Sequence, residues 1–202
     1  MADTPKDWPL AFKPAEQSFY IQTLASRFTN PFTGHVQVLE RDGARWMSRL
    51  RLQLSGREAR AFDAFLASLR GSAVEVLLPD FRRLAALGSL AGTPVLAAGT
   101  GRTLTLSGFT ANATAVLKAG DLLQTSPGRG HLVVEDVTAD ASGAATVRIE
   151  PRLREAVTVG PLITNTVRVR MRLLSDDAGR NPTTPPVKSV YSIDLFEALP
   201  TS

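Results

Sequence analysis

Two stretches of strict alternation, one toward each end of the chain, constrain the fold more than anything else in the sequence. In the first, Trp46, Ser48, Leu50, Leu52 and Leu54 alternate with Arg45, Met47, Arg49, Arg51 and Gln53. In the second, Val167, Val169, Met171 and Leu173 alternate with Arg168, Arg170 and Arg172. Successive side chains of an extended chain point to opposite faces, so each stretch reads as a half-buried strand with an apolar inner row and a basic outer row.

The flanking residues extend this reading. Asp42-Gly43 suits the positive φ angles of a type I′ turn, which predicts a hairpin between residues 35–41 and 44–54. A strand is expected from Ser18, with Phe19, Ile21 and Thr23 alternating with Tyr20, Gln22 and Leu24, followed by a loop at Thr29-Asn30-Pro31-Phe32-Thr33-Gly34. Ser55 and Glu58 have capping-box spacing. Ala59, Phe62, Phe65, Leu66 and Leu69 then recur at helical intervals up to Gly71. A short strand at 74–78 ends at Pro79-Asp80, and residues 81–90 read as a brief helical turn or irregular chain.

From about residue 91 to 164 the texture changes to short apolar runs punctuated by Gly, Ser, Asn and Asp. Turns are expected at 119–121, 127–130 and 140–143. Regularly spaced short strands indicate a small barrel or compact sandwich. Residues 175–186 form a polar, proline-bearing loop, and 187–199 offer a last strand. The expected fold is therefore mainly β with one α-helix. It comprises a discontinuous β-sandwich-like domain over 1–82 and 165–202, and an inserted small β-barrel over 83–164. The first 17 residues, with Pro5, Pro9 and Pro14, suit an extended arm that orders against a partner or its own domain.

Composition narrows the chemistry. With 202 residues, 44% of them hydrophobic, the chain can bury a substantial core, and wholesale disorder is excluded. The net charge of +4 is modest, and no Lys/Arg run exceeds two residues, so no basic tail points to nucleic acid. The excess is carried by 19 arginines against four lysines. Arginine favours planar, bidentate contacts at interfaces, although a GC-rich genome yields the same bias. The chain has no cysteine, which removes disulfides, thiol nucleophiles and thiolate metal sites. The opening MADTPKDWPL lacks the apolar core of a secretory signal, and no stretch reaches the length of a membrane span. A soluble protein assembled inside a cell is expected.

No motif carries catalysis. His35 and His131 are the only histidines, neither has a neighbour at metal-ligand spacing, and both read as surface or strand-packing residues. No Gly-x-Ser-x-Gly elbow is present. Glu135 and Asp136 point to opposite faces of a strand, so at most one could join Asp140 in a calcium or glycosidase site, and solvated turn residues are the better reading. Gly99-Thr100-Gly101-Arg102-Thr103 lacks the spacing of a phosphate loop. What remains are the arginine rows. Arg45, Arg49 and Arg51, with Arg168, Arg170 and Arg172, form either a partner interface or a solvated face neutralised locally by Asp and Glu.

In order, the strand at 18–24, the Asn30-Pro31-Phe32-Thr33-Gly34 loop, Ala44-Arg45-Trp46, the helix at 56–70 and Leu77-Leu78-Pro79-Asp80-Phe81 resemble the distal tail proteins, and related minor tail proteins, of long-tailed (siphovirus-like) bacteriophages. Leu117-Lys118-Ala119-Gly120-Asp121-Leu122, the stretch from Asp136-Val137-Thr138-Ala139-Asp140 through Gly143-Ala144-Ala145-Thr146-Val147, and Pro151-Arg152-Leu153-Arg154 look like segments recurring in such proteins. The resemblance spans about residues 18–200.

It implies a non-enzymatic virion protein of the tail tip, assembled in the host cytoplasm. The family forms a ring, usually a hexamer, that joins the tail tube protein to the tail hub protein. No cofactor, metal, specific nucleic acid or membrane span is expected. Three alternatives stay open: a carbohydrate-binding module for the host surface, a glycan hydrolase using carboxylates such as Asp140, and another tail ring such as a tube terminator or connector. Residues 91–164 contain Phe109 but no Trp or Tyr, which disfavours the carbohydrate reading.

Overall fold

The computed structural model describes residues 4–184 and 188–199. The first three residues of the expected arm, the end of the 175–186 loop and Val187 lie outside the described residues. In chain order the elements are β1 (Lys6–Asp7), β2 (Glu16–Thr29), β3 (Val36–Ser55), α1 (Gly56–Leu69), β4 (Val76–Pro79), β5 (Gly92–Thr100) and β6 (Thr103–Phe109). They continue with β7 (Leu122–Ser126), β8 (Arg129–Val133), β9 (Ala145–Glu150), β10 (Gly160–Pro161), β11 (Arg168–Leu173), β12 (Thr183–Thr184) and β13 (Lys188–Glu197). Among the described residues the protein is mainly β with one helix.

The strands form two sheets. The first is ordered β1-β4-β11-β13-β3-β2, with β12 attached to β13. The second is ordered β10-β5-β6-β9-β8-β7. It curls into a barrel-like unit, because the Gln124 N–H donates to the Ile163 carbonyl at 2.9 Å and so brings β7 back to the chain just after β10.

Both alternating stretches behave as their period demands. Trp46, Leu50, Leu52 and Leu54 of β3 and Val169, Met171 and Leu173 of β11 are buried, while the arginine rows face outward.

The chain does not turn at Asp42-Gly43. β3 runs unbroken through this dipeptide, and the hairpin with β2 closes instead at residues 30–34. There the Asn30 carbonyl accepts from Gly34 N–H at 2.9 Å, and the Asn30 side chain accepts from Phe32 N–H at 2.8 Å. An Asx turn with Gly34 at φ +70° supplies the reversal, and it lets β2 pair along nearly all of β3. Asp42-Gly43 sits instead where the β2–β3 register shifts between Gln22 and Leu24, a bulge. A Cβ on Gly43 would come 2.5 Å from Leu24 Cδ1, the end of an exposed side chain that would have to turn aside.

α1 starts and stops where its spacing predicts, with Arg70 (φ 51°) and Gly71 (φ 65°) ending it in the left-handed region. The capping box does not form, since Ser55 makes no side-chain cap hydrogen bond. Ser55 is still part of the ladder with Lys188, so β3 passes into α1 with no linker between them.

The first core centres on Phe62. Its ring meets Trp8, Phe12 and Tyr191 edge-on at 5.5, 5.1 and 4.8 Å between centroids. Trp8 belongs to the N-terminal arm. Its backbone N–H donates to the Leu77 carbonyl at 3.1 Å, its indole N–H to the Phe12 carbonyl at 3.0 Å, and its side chain is 1% exposed. The arm therefore orders against its own domain, through β1 paired parallel to β4.

A second core fills the barrel-like unit with Leu104, Leu106, Val116, Leu117, Leu123, Val133 and Val147. Leu122 and Leu132 reach from the β7–β8 hairpin into the first core instead. The Arg170 N–H donates to the Gly128 carbonyl at 2.9 Å and joins that hairpin to β11.

Trp8→Ala should lower the free energy of unfolding by about 3–5 kcal/mol, the range for deleting a fully buried aromatic. Urea denaturation followed by fluorescence of Trp46 checks this.

Candidate functional site

The two arginine rows share the outer face of the first sheet, but β13 lies between their strands. Each row is met by acceptors of its own chain. Arg49 grips Asp194 with Nε–Oδ1 at 2.6 Å and Nη2–Oδ2 at 3.2 Å, a bidentate pair across the β3–β13 ladder that raises the guanidinium pKa. Arg51 reaches Glu16 on β2 at 3.3 Å. Arg45 donates to Gln22 at 3.5 Å and stacks over the Phe196 ring at 5.3 Å.

On β11, Arg168 pairs with Asp7 of β1. Arg172 holds Glu75 at 2.8 Å and also donates to the Ser72 and Ala73 carbonyls. The Arg170 Nε lies 3.4 Å from Glu75, an ion-pair distance without hydrogen-bond geometry. The structure thus brings the six arginines to one face, each with a partner inside the chain.

A second polar group, which sequence reasoning missed, lies where the two sheets meet. Arg129, His131 and Glu197 are 7%, 6% and 5% exposed. The Arg129 Nε pairs with Glu155 at 3.1 Å, and its Nη1 lies 3.7 Å from Glu197. Glu197 accepts from the Trp46 backbone N–H at 3.0 Å, and burial pushes its carboxyl pKa up. His131 Nδ1 lies 2.7 Å from the Pro151 carbonyl oxygen, and burial brings its pKa down to about 4. One signal in the sequence could have found Glu197: it continues the inward row Tyr191, Ile193, Leu195, where a carboxylate needs a cation beside it.

These groups form a satisfied structural cluster, with no substrate-sized opening of their own. The other candidates are turn chemistry. Asp140 accepts from the Ser142 hydroxyl at 2.7 Å and from the N–H groups of Ala144 and Ser142 at 2.9 and 2.8 Å, bonds that hold its carboxyl below the usual range. Asp136 accepts from Ala119 N–H at 2.9 Å. Gly99–Thr103 forms the β5–β6 turn, and His35 lies exposed at the ribbon tip. Among the described residues no group of three or more His, Asp or Glu is placed to hold a metal ion, and no helix is long and apolar enough to cross a membrane.

The β2–β3 hairpin projects beyond both cores. Over residues 24–40 every residue except the half-buried Ser26 is exposed. Register places Leu24, Phe28 and Leu39 on one face of this two-stranded ribbon and Val36 and Val38 on the other, with Phe32 at the tip, 95% exposed.

No family model matches the chain, and no curated protein matches it.

The buried histidine makes stability depend on pH. The unfolded chain takes up this proton near pH 6.5 and the folded chain only near 4, so stability falls as pH drops through that window. The loss at its lower end is on the order of 3 kcal/mol. Glu197, whose pKa is raised, acts in the opposite sense, favouring the fold as pH falls toward its own titration. In urea titrations from neutral pH down to about pH 4, His131→Asn should give a flatter stability curve than the unmodified protein.

Proposed function

We propose that the protein is a non-enzymatic virion structural protein, a ring-forming adaptor at the distal end of a long bacteriophage tail, joining tail tube to hub. The observation that carries this reading is the projecting ribbon. A lone two-stranded hairpin is marginal in water, and this one exposes apolar side chains on both faces rather than one. Such a feature suits insertion between neighbouring subunits, where both faces are covered at once. Repeated around a closing rotation, that head-to-tail contact generates a ring. The sequence resemblance to distal tail proteins supplies the place in the virion, and the family's usual hexamer supplies the ring order.

The outer arginine rows add less, because their charges are met within the chain. A carbohydrate-binding role for the barrel-like unit finds no support in its surface, since its one aromatic residue, Phe109, is 6% exposed. Glycan platforms are built on exposed aromatic faces.

Light scattering over a concentration series should give one discrete ring-sized oligomer. The double variant Phe28→Ser, Val38→Ser should shift it to monomer with unchanged circular dichroism, because both side chains lie outside the cores. Antibody against the protein should label one end of the tail. A strict monomer that binds neither tube nor hub subunits, or a virion that carries no label, would overturn the proposal.

A further inference from the structure

At the root of the ribbon, the bulge of β3 faces the β5–β6 turn and the chain after β9 across an open cleft of about 530 Å³. Four arginines line it from three separate parts of the chain, Arg41, Arg102, Arg152 and Arg154, together with Asp42, and two further carboxylates, Glu40 and Glu150, reach Arg102. We propose that this cleft binds a phosphate-bearing ligand of the pyrophosphate type. The inference goes beyond the adaptor reading and does not depend on it.

The four guanidiniums play two roles. Arg102 is clamped by Glu40 and, at 2.7 Å, by Glu150, while Arg152 is held by Asp42 at 2.7 Å. These carboxylates are consumed in fixing the cleft walls. Arg41 and Arg154 are different: neither forms an ion pair among the described residues. Arg41 donates through Nε to the Ser26 hydroxyl at 2.8 Å, and Arg154 donates through Nη2 to the Ala44 carbonyl. Each guanidinium carries five N–H donors, so most of theirs stay available to a ligand.

An anion is the complementary occupant. A single planar carboxylate matches one guanidinium fork, whereas guanidiniums brought in from separate parts of the chain need acceptor oxygens pointing several ways, as on a tetrahedral phosphate. The volume lies within the range of small-molecule sites and exceeds the needs of one phosphate. Leu153 gives the cleft an apolar wall for whatever carries the phosphates.

The test is calorimetric titration of the full chain with inorganic pyrophosphate, at low and at raised ionic strength. The expected result is saturable binding at one site per chain, weakened by salt. Arg41→Gln and Arg154→Gln should each weaken it by about tenfold, the loss of one charge-assisted hydrogen-bonding partner. Arg57→Gln, which removes the same charge from the exposed face of α1, should leave it unchanged. Absence of saturable binding would overturn the proposal, as would an equal loss in Arg57→Gln. Citrate binding as tightly as pyrophosphate would overturn the phosphate assignment.

Discussion

Trp46 ties the two sheets together through its indole, while its backbone N–H is held within its own sheet. Its indole N–H donates to the Gly130 carbonyl of the barrel-like unit at 2.8 Å, and its backbone N–H donates to Glu197 at the end of β13 at 3.0 Å. The ring, 1% exposed, packs on Phe19 at 4.9 Å between centroids. Gly130 has no side chain because Val169 already fills that space, 2.8 Å from where a Cβ would lie. The fit of this indole against one glycine thus joins Leu122, Leu132 and the Arg170–Gly128 bond in positioning the barrel-like unit. The Arg129–Glu155–Glu197 cluster adjoins that contact, through Glu197 on the Trp46 backbone N–H.

Polar groups on the two sides of the first sheet follow different rules. On its outer face, arginines pair with carboxylates in neighbouring rows and remain hydrated, so each pair contributes little to stability while fixing register. At the junction the charges are nearly dry, and each is tolerated only because the next one is in place. Electrostatics on this chain thus specify alignment more than they supply cohesion. Cohesion comes from the Phe62 cluster and the barrel interior.

Much of this architecture was legible in the sequence because it rests on period. The alternation of β3 and β11 announced which side chains would be buried, and Ala59, Phe62, Leu66 and Leu69 announced the helix and its inner face. Local turn chemistry was less reliable. Asp42-Gly43 has the composition of a tight turn, yet the longer ladder offered by a turn at Asn30 decided the pairing. Ser55 has the spacing of a cap, yet it serves the ladder with β13. The arginine cleft escaped notice because its members are scattered from Arg41 to Arg154, and only the docking of the barrel-like unit beside the ribbon collects them. The ribbon escaped too, since Leu24, Phe28 and Val38 have the composition of a buried strand, and nothing local records that no core lies beneath them.

The absence of a linker between β3 and α1 gives the molecule a mechanical character. A strand of 20 residues runs from the exposed tip of the ribbon into the core, a lever of about 65 Å at the usual rise per residue. Along its inner half it is bonded on one edge to β13 and on the other to β2. A pull on the tip directed along the strand loads those backbone bonds together, in shear, rather than peeling them one after another. Any strain that passes them is delivered straight into the first turn of α1. A subunit gripped by its ribbon would thus pass tension along one continuous strand to the hydrophobic core, with the bulge at Asp42-Gly43 as the point where that strand can bend.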